Sequence, residues 1–144
     1  MTLIDAYGLV AFVAEEPAAA EVEQLLRSEE CRVVAVNLAE AIDVSARKHG
    51  YPLEEVRKAL EPLILRGQLA VAASDEPEAW LAAEIRVLEY HHEKKPLSMA
   101  DCLLLAHASL TSDSLATSDP YVAEVARSAG LTVIPLADSK GKRP

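Results

Sequence analysis

The chain has 144 residues, 51% of them hydrophobic and 26% charged, with a formal net charge of −9. That balance excludes disorder as the default state and predicts one domain able to bury its own core without disulfide or metal staples. The acidity also excludes a protein that coats nucleic acid non-specifically, because such affinity comes from neutralised phosphates, and it favours a binder of cations.

The opening MTLIDAYGLV lacks the basic start of a secretory signal, and no apolar run approaches the ~20 residues of a membrane helix, so a cytoplasmic location is expected. Thr2 to Asp5 (TLID) reads as a short buried strand, followed by a helix over Pro17 to Glu30 and a strand over Arg32 to Val36 (RVVAV). Asn37 and Glu40 have capping-box spacing at the head of a helix over Leu38 to Lys48, with Gly50 beyond its end. A helix over Pro52 to Arg66, stopped by Gly67, precedes the strand Leu69 to Ala73 (LAVAA) and a helix over Pro77 to Glu93. Ser98 and Asp101 repeat the capping pattern before a helix over Met99 to Leu110. The strand Leu115 to Thr117 then runs into Asp119-Pro120, an N-cap followed by a proline at the first helical position, and a helix over Pro120 to Ala129 stops at Gly130. Leu131 to Ile134 (LTVI) is the last strand. The polar Asp138 to Pro144 (DSKGKRP) is expected to fray, which leaves residues 1–137 as the domain. Cys31 and Cys102 have no neighbouring Cys or His and read as reduced core thiols.

Five apolar strands alternating with helices predict an α/β fold: a three-layer arrangement with a five-stranded parallel sheet flanked by helices. In such sheets ligands bind beyond the carboxyl ends of the strands, near the place where strand order reverses. Asp5 closes the first strand, Glu40 follows the second, and Asp119 follows the fourth, while Asp101 opens the helix before the fourth. Glu40, Asp101 and Asp119 each have a sufficient explanation as helix caps. Asp5 interrupts an apolar run with no evident cap to make, so its burial would cost several kcal/mol unless it is paired or binds metal. Carboxylates about 4 Å apart repel by roughly 4 kcal/mol at an effective dielectric near 20, so four gathered together would raise one another's pKa values or recruit a cation. Oxygen-only ligation suits Mg²⁺ or Mn²⁺ and points to phosphodiester hydrolysis.

The acid after the first strand, the NLAEA segment, the block LSMADCLLLAHA (Leu97 to Ala108) and LATSDPYVAEVARSAGLTVIPL from Leu115 together resemble the PIN-domain ribonucleases of the VapC toxin type. The resemblance runs from Leu3 to Leu136. It implies that Asp5, Glu40, Asp101 and Asp119 are the catalytic acids that hold Mg²⁺ or Mn²⁺, with Thr117 as a supporting hydroxyl. It further implies an RNA substrate, a homodimer and a cognate antitoxin that blocks the site. Two departures stand out. Tyr7 replaces the Ser or Asn that members often carry two residues after the first Asp, and Tyr121 stands where many have a further acid or a His. Asp43 lies one turn past Glu40 and reads as an exposed helix acid or as a substitute ligand.

Arg47 and Lys48 are candidate RNA contacts, a solvated helix face being the bland reading. His91 and His92 read as helix-end residues, His107 as a satisfied core or interface histidine, and Trp80 as packing or interface. The alternative functions are a metal-free PIN-like binding or scaffold module and, further off, a receiver-like signalling domain. A receiver would need paired acids after the first strand and a Lys near the fifth, and Asp5 stands alone while TVIPL has no Lys. A haloacid-dehalogenase-like phosphatase would need a second Asp where Tyr7 stands. Which RNA is cut, and at what sequence, is not written in any motif here.

Overall fold

Alternate residues of a strand point to opposite faces of its sheet, so a strand buried on both sides feeds two cores. Leu3 and Ile4 do this in the first strand, and neither is exposed at all. The computed structural model describes residues 1–144. Its five strands are β1 (Thr2–Ile4), β2 (Cys31–Val34), β3 (Leu69–Ala72), β4 (Ser114–Thr117) and β5 (Val133–Pro135). They form one sheet in the order β3-β2-β1-β4-β5, parallel throughout.

Seven helices complete the chain: α1 (Ala6–Ala14), α2 (Ala19–Ser28), α3 (Ala35–Arg47), α4 (Leu53–Leu65), α5 (Glu76–Glu89), α6 (Met99–Thr111) and α7 (Pro120–Ser128). On one face Ile4 and Val33 pack with Leu9, Val22, Val56 and Leu60 of α1, α2 and α4. On the other, Leu3, Val34 and Leu115 pack with Ala82, Leu104 and Val122 of α5, α6 and α7. The three-layer α/β expectation is therefore met. No helix is long and apolar enough to cross a membrane.

Three local expectations differ. Helix α1 follows β1 without a loop and was not foreseen, because AYGLVAFVA is apolar on every side and has no polar face to reveal its period. Helix α3 begins at Ala35, so Asn37 lies inside the helix, is 1% exposed and caps nothing. Helix α5 ends at Glu89, and the chain turns back through an isolated antiparallel bridge between His91 and Lys95. There the His91 ring accepts the backbone N–H groups of Glu93 and Lys94 at 3.2 and 3.1 Å, so neither His91 nor His92 ends a helix. Gly50, Gly67 and Gly130 have φ of 75°, 73° and 79°, as expected of residues that stop helices.

At the amino-terminal edge of the sheet a buried polar chain links elements. His107 Nδ1 lies 2.5 Å from Glu78 Oε1, its Nε2 lies 3.3 Å from Arg32 Nη1, and Arg32 also reaches Asp113 at 3.1 Å. A guanidinium only donates, so Nε2 accepts and Nδ1–H faces Glu78. His107 is thus the satisfied core histidine expected. Residues 138–144, expected to fray, fold back in a turn: the Asp138 carboxylate accepts the N–H groups of Lys140 and Lys142 at 2.8 and 2.9 Å. Arg143 holds Glu21 through two bonds of 2.7 and 2.8 Å.

Candidate active site

The chain steps from β1 outward to β2 and β3, then crosses back to β4 and β5 on the other side of β1. Strand order therefore reverses between β1 and β4, and the crevice at their carboxyl ends is where an open parallel sheet offers a ligand site. Asp5 leaves the end of β1 and Thr117, Ser118 and Asp119 leave the end of β4.

Asp5 is the N-cap of α1, its Oδ1 accepting the Gly8 N–H at 2.7 Å. It is 7% exposed. Burial pushes its pKa from 3.8 up to about 6; the Thr117 hydroxyl and the Gly8 N–H hold it down, and the charges of Asp101 and Asp119 add to the rise. Asp101 completes a capping box with Ser98: Ser98 N–H donates to Asp101 Oδ2 at 2.8 Å, and Asp101 N–H donates to Ser98 Oγ at 3.0 Å. Burial raises its pKa, the Ser98 bonds oppose this, and the Asp119 charge reinforces it. Asp119 caps α7 through Oδ1, which accepts from Tyr121 N and Val122 N at 2.7 and 3.1 Å, while its own N–H donates to Thr117 Oγ1 at 3.1 Å. Glu40 projects from α3, half-buried, its pKa raised by burial and by the charges of Asp101 and Asp43 against the pull of Lys48. The four acids therefore form one electrostatically linked group, Glu40 to Asp101 and Asp101 to Asp5 and Asp119.

Capping and ligand binding do not compete here. The caps engage Oδ2 of Asp101 and Oδ1 of Asp119, and the second oxygen of each accepts no hydrogen bond from the protein. No three His, Cys, Asp or Glu side chains stand close enough to share one ion directly. The donor set nonetheless fits a hard divalent cation, since it is all carboxylate oxygen, burial and then neighbouring acid charge raise the pKa values of Asp5, Glu40 and Asp101, and such ions keep several waters among their ligands.

The family model for the PIN domain matches residues 2–139. The chain belongs to the PIN domain family. No curated protein matches it in sequence. Among solved structures, this PIN domain is similar to VapC20 of Mycobacterium tuberculosis, a toxin that cleaves the sarcin–ricin loop, with TM-score 0.70 and 16% identity over 87% of this chain and 95% of that one. It is also similar to VapBC2 from Rickettsia felis, bound to a DNA fragment from its promoter, with TM-score 0.67 and 15% identity over 92% and 96% of the two chains. FitAcB from Neisseria gonorrhoeae gives TM-score 0.64 and 24% identity over 93% and 96%. At these identities the likeness is one of fold.

Several residues of the PIN domain take places that local sequence rules did not assign. Asp5 is a cap after all, at the start of a helix whose all-apolar sequence has no visible period. Asn37 donates its amide to Ala100 O at 3.4 Å, tying α3, which carries Glu40, to the first turn of α6, which carries Asp101; its Oδ1 is buried without a partner. Asp43 and Arg47 are taken up with each other through three bonds of 2.9 to 3.2 Å on the exposed face of α3. Lys48 has no carboxylate partner. The Tyr7 hydroxyl is buried and unpaired, and burial pushes its pKa up to about 12, aided by the charges of Glu16, Asp138 and Asp5.

Proposed function

We propose that this PIN-domain protein is a Mg²⁺- or Mn²⁺-dependent ribonuclease, the toxin of a toxin–antitoxin pair, acting in the cytoplasm. The observation that carries the reading is the linked group Asp5, Glu40, Asp101 and Asp119 at the β1–β4 crevice of a PIN fold. These four side chains would hold the ion, and Thr117 would steady two of them, facing the Asp5 carboxylate and accepting the Asp119 N–H. The chemistry such an ion would supply there is polarisation of the scissile phosphate, activation of the attacking water and stabilisation of the leaving oxygen. The protein's own part is positioning. Caps fix Asp5, Asp101 and Asp119 to three helix starts, and the Asn37 bond sets the helix of Glu40 against that of Asp101. Four uncompensated carboxylates would repel an RNA backbone, so the cation is needed for binding as well as for chemistry.

The antitoxin reading is supported by an apolar hollow of about 440 Å³ between α3 and α4, lined by Leu38, Ile42, Leu53, Val56, Leu60 and Ile64. Leu38 and Ile42 belong to the same helix as Glu40, so a partner seated there would bear on the helix that carries one of the acids. Homodimer formation is supported by α5, where Trp80, Val87 and Leu88 are 72%, 84% and 75% exposed along one side of the helix. Lys48, near Glu40, remains the better RNA contact of the Arg47–Lys48 pair. The test incubates the purified protein with a panel of RNAs in Mg²⁺, Mn²⁺ or EDTA beside an Asp101→Asn control. Cleavage lost in EDTA and in the variant is expected; cleavage undiminished in EDTA sinks the mechanism. RNA binding without any cleavage would make the protein a binding module.

A further inference from the structure

The turn over residues 138–143 stands against the start of α7. Between them lies a hollow of about 120 Å³ with no hydrophobic lining, formed by Ser118, Pro120, Asp138, Lys142, Arg143 and Pro144. Ser118 and Pro120 are the residues on either side of Asp119, whose own side chain does not line the hollow. Its wall is rigidly built. Asp138 Oδ1 is occupied by two backbone N–H groups, and the Arg143 guanidinium is occupied by Glu21 and by Pro135 O at 2.6 Å. The guanidinium is not left over for a ligand, while Asp138 keeps its Oδ2 and a charge that Lys140 and Lys142 offset from nearby. Lys142 is different: its backbone N–H serves the turn, yet its ammonium has no carboxylate partner. Lys140 beside it likewise has none, while the Arg127 guanidinium is engaged by Pro144 O at 3.2 Å.

A free cation and a serine hydroxyl at a polar hollow suit a phosphate, the cation by charge and the hydroxyl as a donor. The position adds a reason. A polyanion can approach an acidic centre only if cations flank it, and on a chain of net charge −9 such places are scarce. We propose that Lys142 and Ser118 form a subsite for a backbone phosphate of single-stranded RNA neighbouring the scissile one, with the 138–143 turn as its scaffold. The subsite rests on the ribonuclease reading, and the experiment separates the two.

The probe is a short fluorescent single-stranded RNA with phosphorothioate linkages, which keep the backbone charge and slow hydrolysis, titrated in Mg²⁺ over a range of NaCl with the parent, Lys142→Gln, Lys142→Arg and, on the distant helix α4, Lys58→Gln. Removing one phosphate contact from a single strand lowers the slope of log affinity against log salt by about 0.7. Lys142→Gln is expected to show that loss with several-fold weaker binding at low salt, while Lys142→Arg and Lys58→Gln keep the parental slope. A parental slope in Lys142→Gln overturns the subsite alone. A lowered slope in Lys142→Arg, which keeps the charge, makes the effect structural and overturns it too. If the parent does not bind this RNA at all, the subsite falls, while the cleavage panel in Mg²⁺, Mn²⁺ and EDTA decides the ribonuclease reading by itself.

Discussion

Asp119 uses one carboxylate oxygen to start a helix and keeps the other free. An amide oxygen can do the first task but is a poor ligand for a hard cation. Asp119→Asn, Asp101→Asn and Glu40→Gln are therefore expected to fold with near-parental melting temperatures. Their metal-dependent cleavage should fall by more than the ~10–100-fold that loss of a supporting partner typically costs at a metal site. Rates and thermal melts of the three variants check this, and parental cleavage in all three would reduce Asp101 and Asp119 to caps and Glu40 to an ordinary helix acid. Asp5 carries a second signature. Its pKa in the folded chain is raised from 3.8 to about 6, so the fold binds its proton more tightly than the unfolded chain does. In EDTA this contribution is fully present below pH ~4 and is lost as pH rises through ~6, on the order of 3 kcal/mol in all. Asp101 and Glu40, also raised, act in the same direction. Denaturant melts across that window should show the difference between the parent and Asp5→Asn narrowing as the pH falls, and a constant difference would contradict it.

Helix α1 meets β1 where there is no room for a side chain. A Cβ on Gly8 would lie 2.6 Å from Ile4 Cγ2 and 3.3 Å from both Asp5 Oδ1 and Leu136. Gly8→Ala is therefore expected to cost about 1–3 kcal/mol of stability by overpacking, and to impair cleavage as well by shifting Asp5. A stable Gly8→Ala protein with full activity would show that α1 can slide without disturbing the acid. The same helix explains what could be read from the sequence. Caps built from near neighbours, Ser98 with Asp101 and Asp119 with Pro120, were legible because both partners lie within one turn of chain. Helix α1 was not, since an all-apolar segment carries no period. Nor was Asn37, whose partner Ala100 comes from another helix and whose cap-like spacing to Glu40 is coincidental. The acids' convergence followed from strand order, which the alternation of elements already suggested; the turn over 138–143 depended on Glu21, far away in sequence.

At the scale of the molecule, the sheet separates two kinds of surface. Helices α1 to α4 cover one face, with the apolar hollow between α3 and α4, and α5 to α7 cover the other, with Trp80, Val87 and Leu88 outward. A two-fold pairing through α5 would leave the hollow and the acid crevice open. The expected result is a dimer mass at micromolar concentration that becomes monomeric when Trp80 and Leu88 are both changed to Glu, with RNA cleavage per chain retained if each site is complete in itself. A parent that is already monomeric would remove the role assigned to α5. One further consequence follows from the way the acids are tethered. The amide protons of Gly8, Ser98, Tyr121 and Val122 each point at a carboxylate of the crevice. Their magnetic resonance frequencies should thus drift as Mg²⁺ is titrated in, giving a built-in gauge of occupancy that needs no substrate. The Glu78 amide, bonded to the Asp75 cap outside this group, supplies the blank.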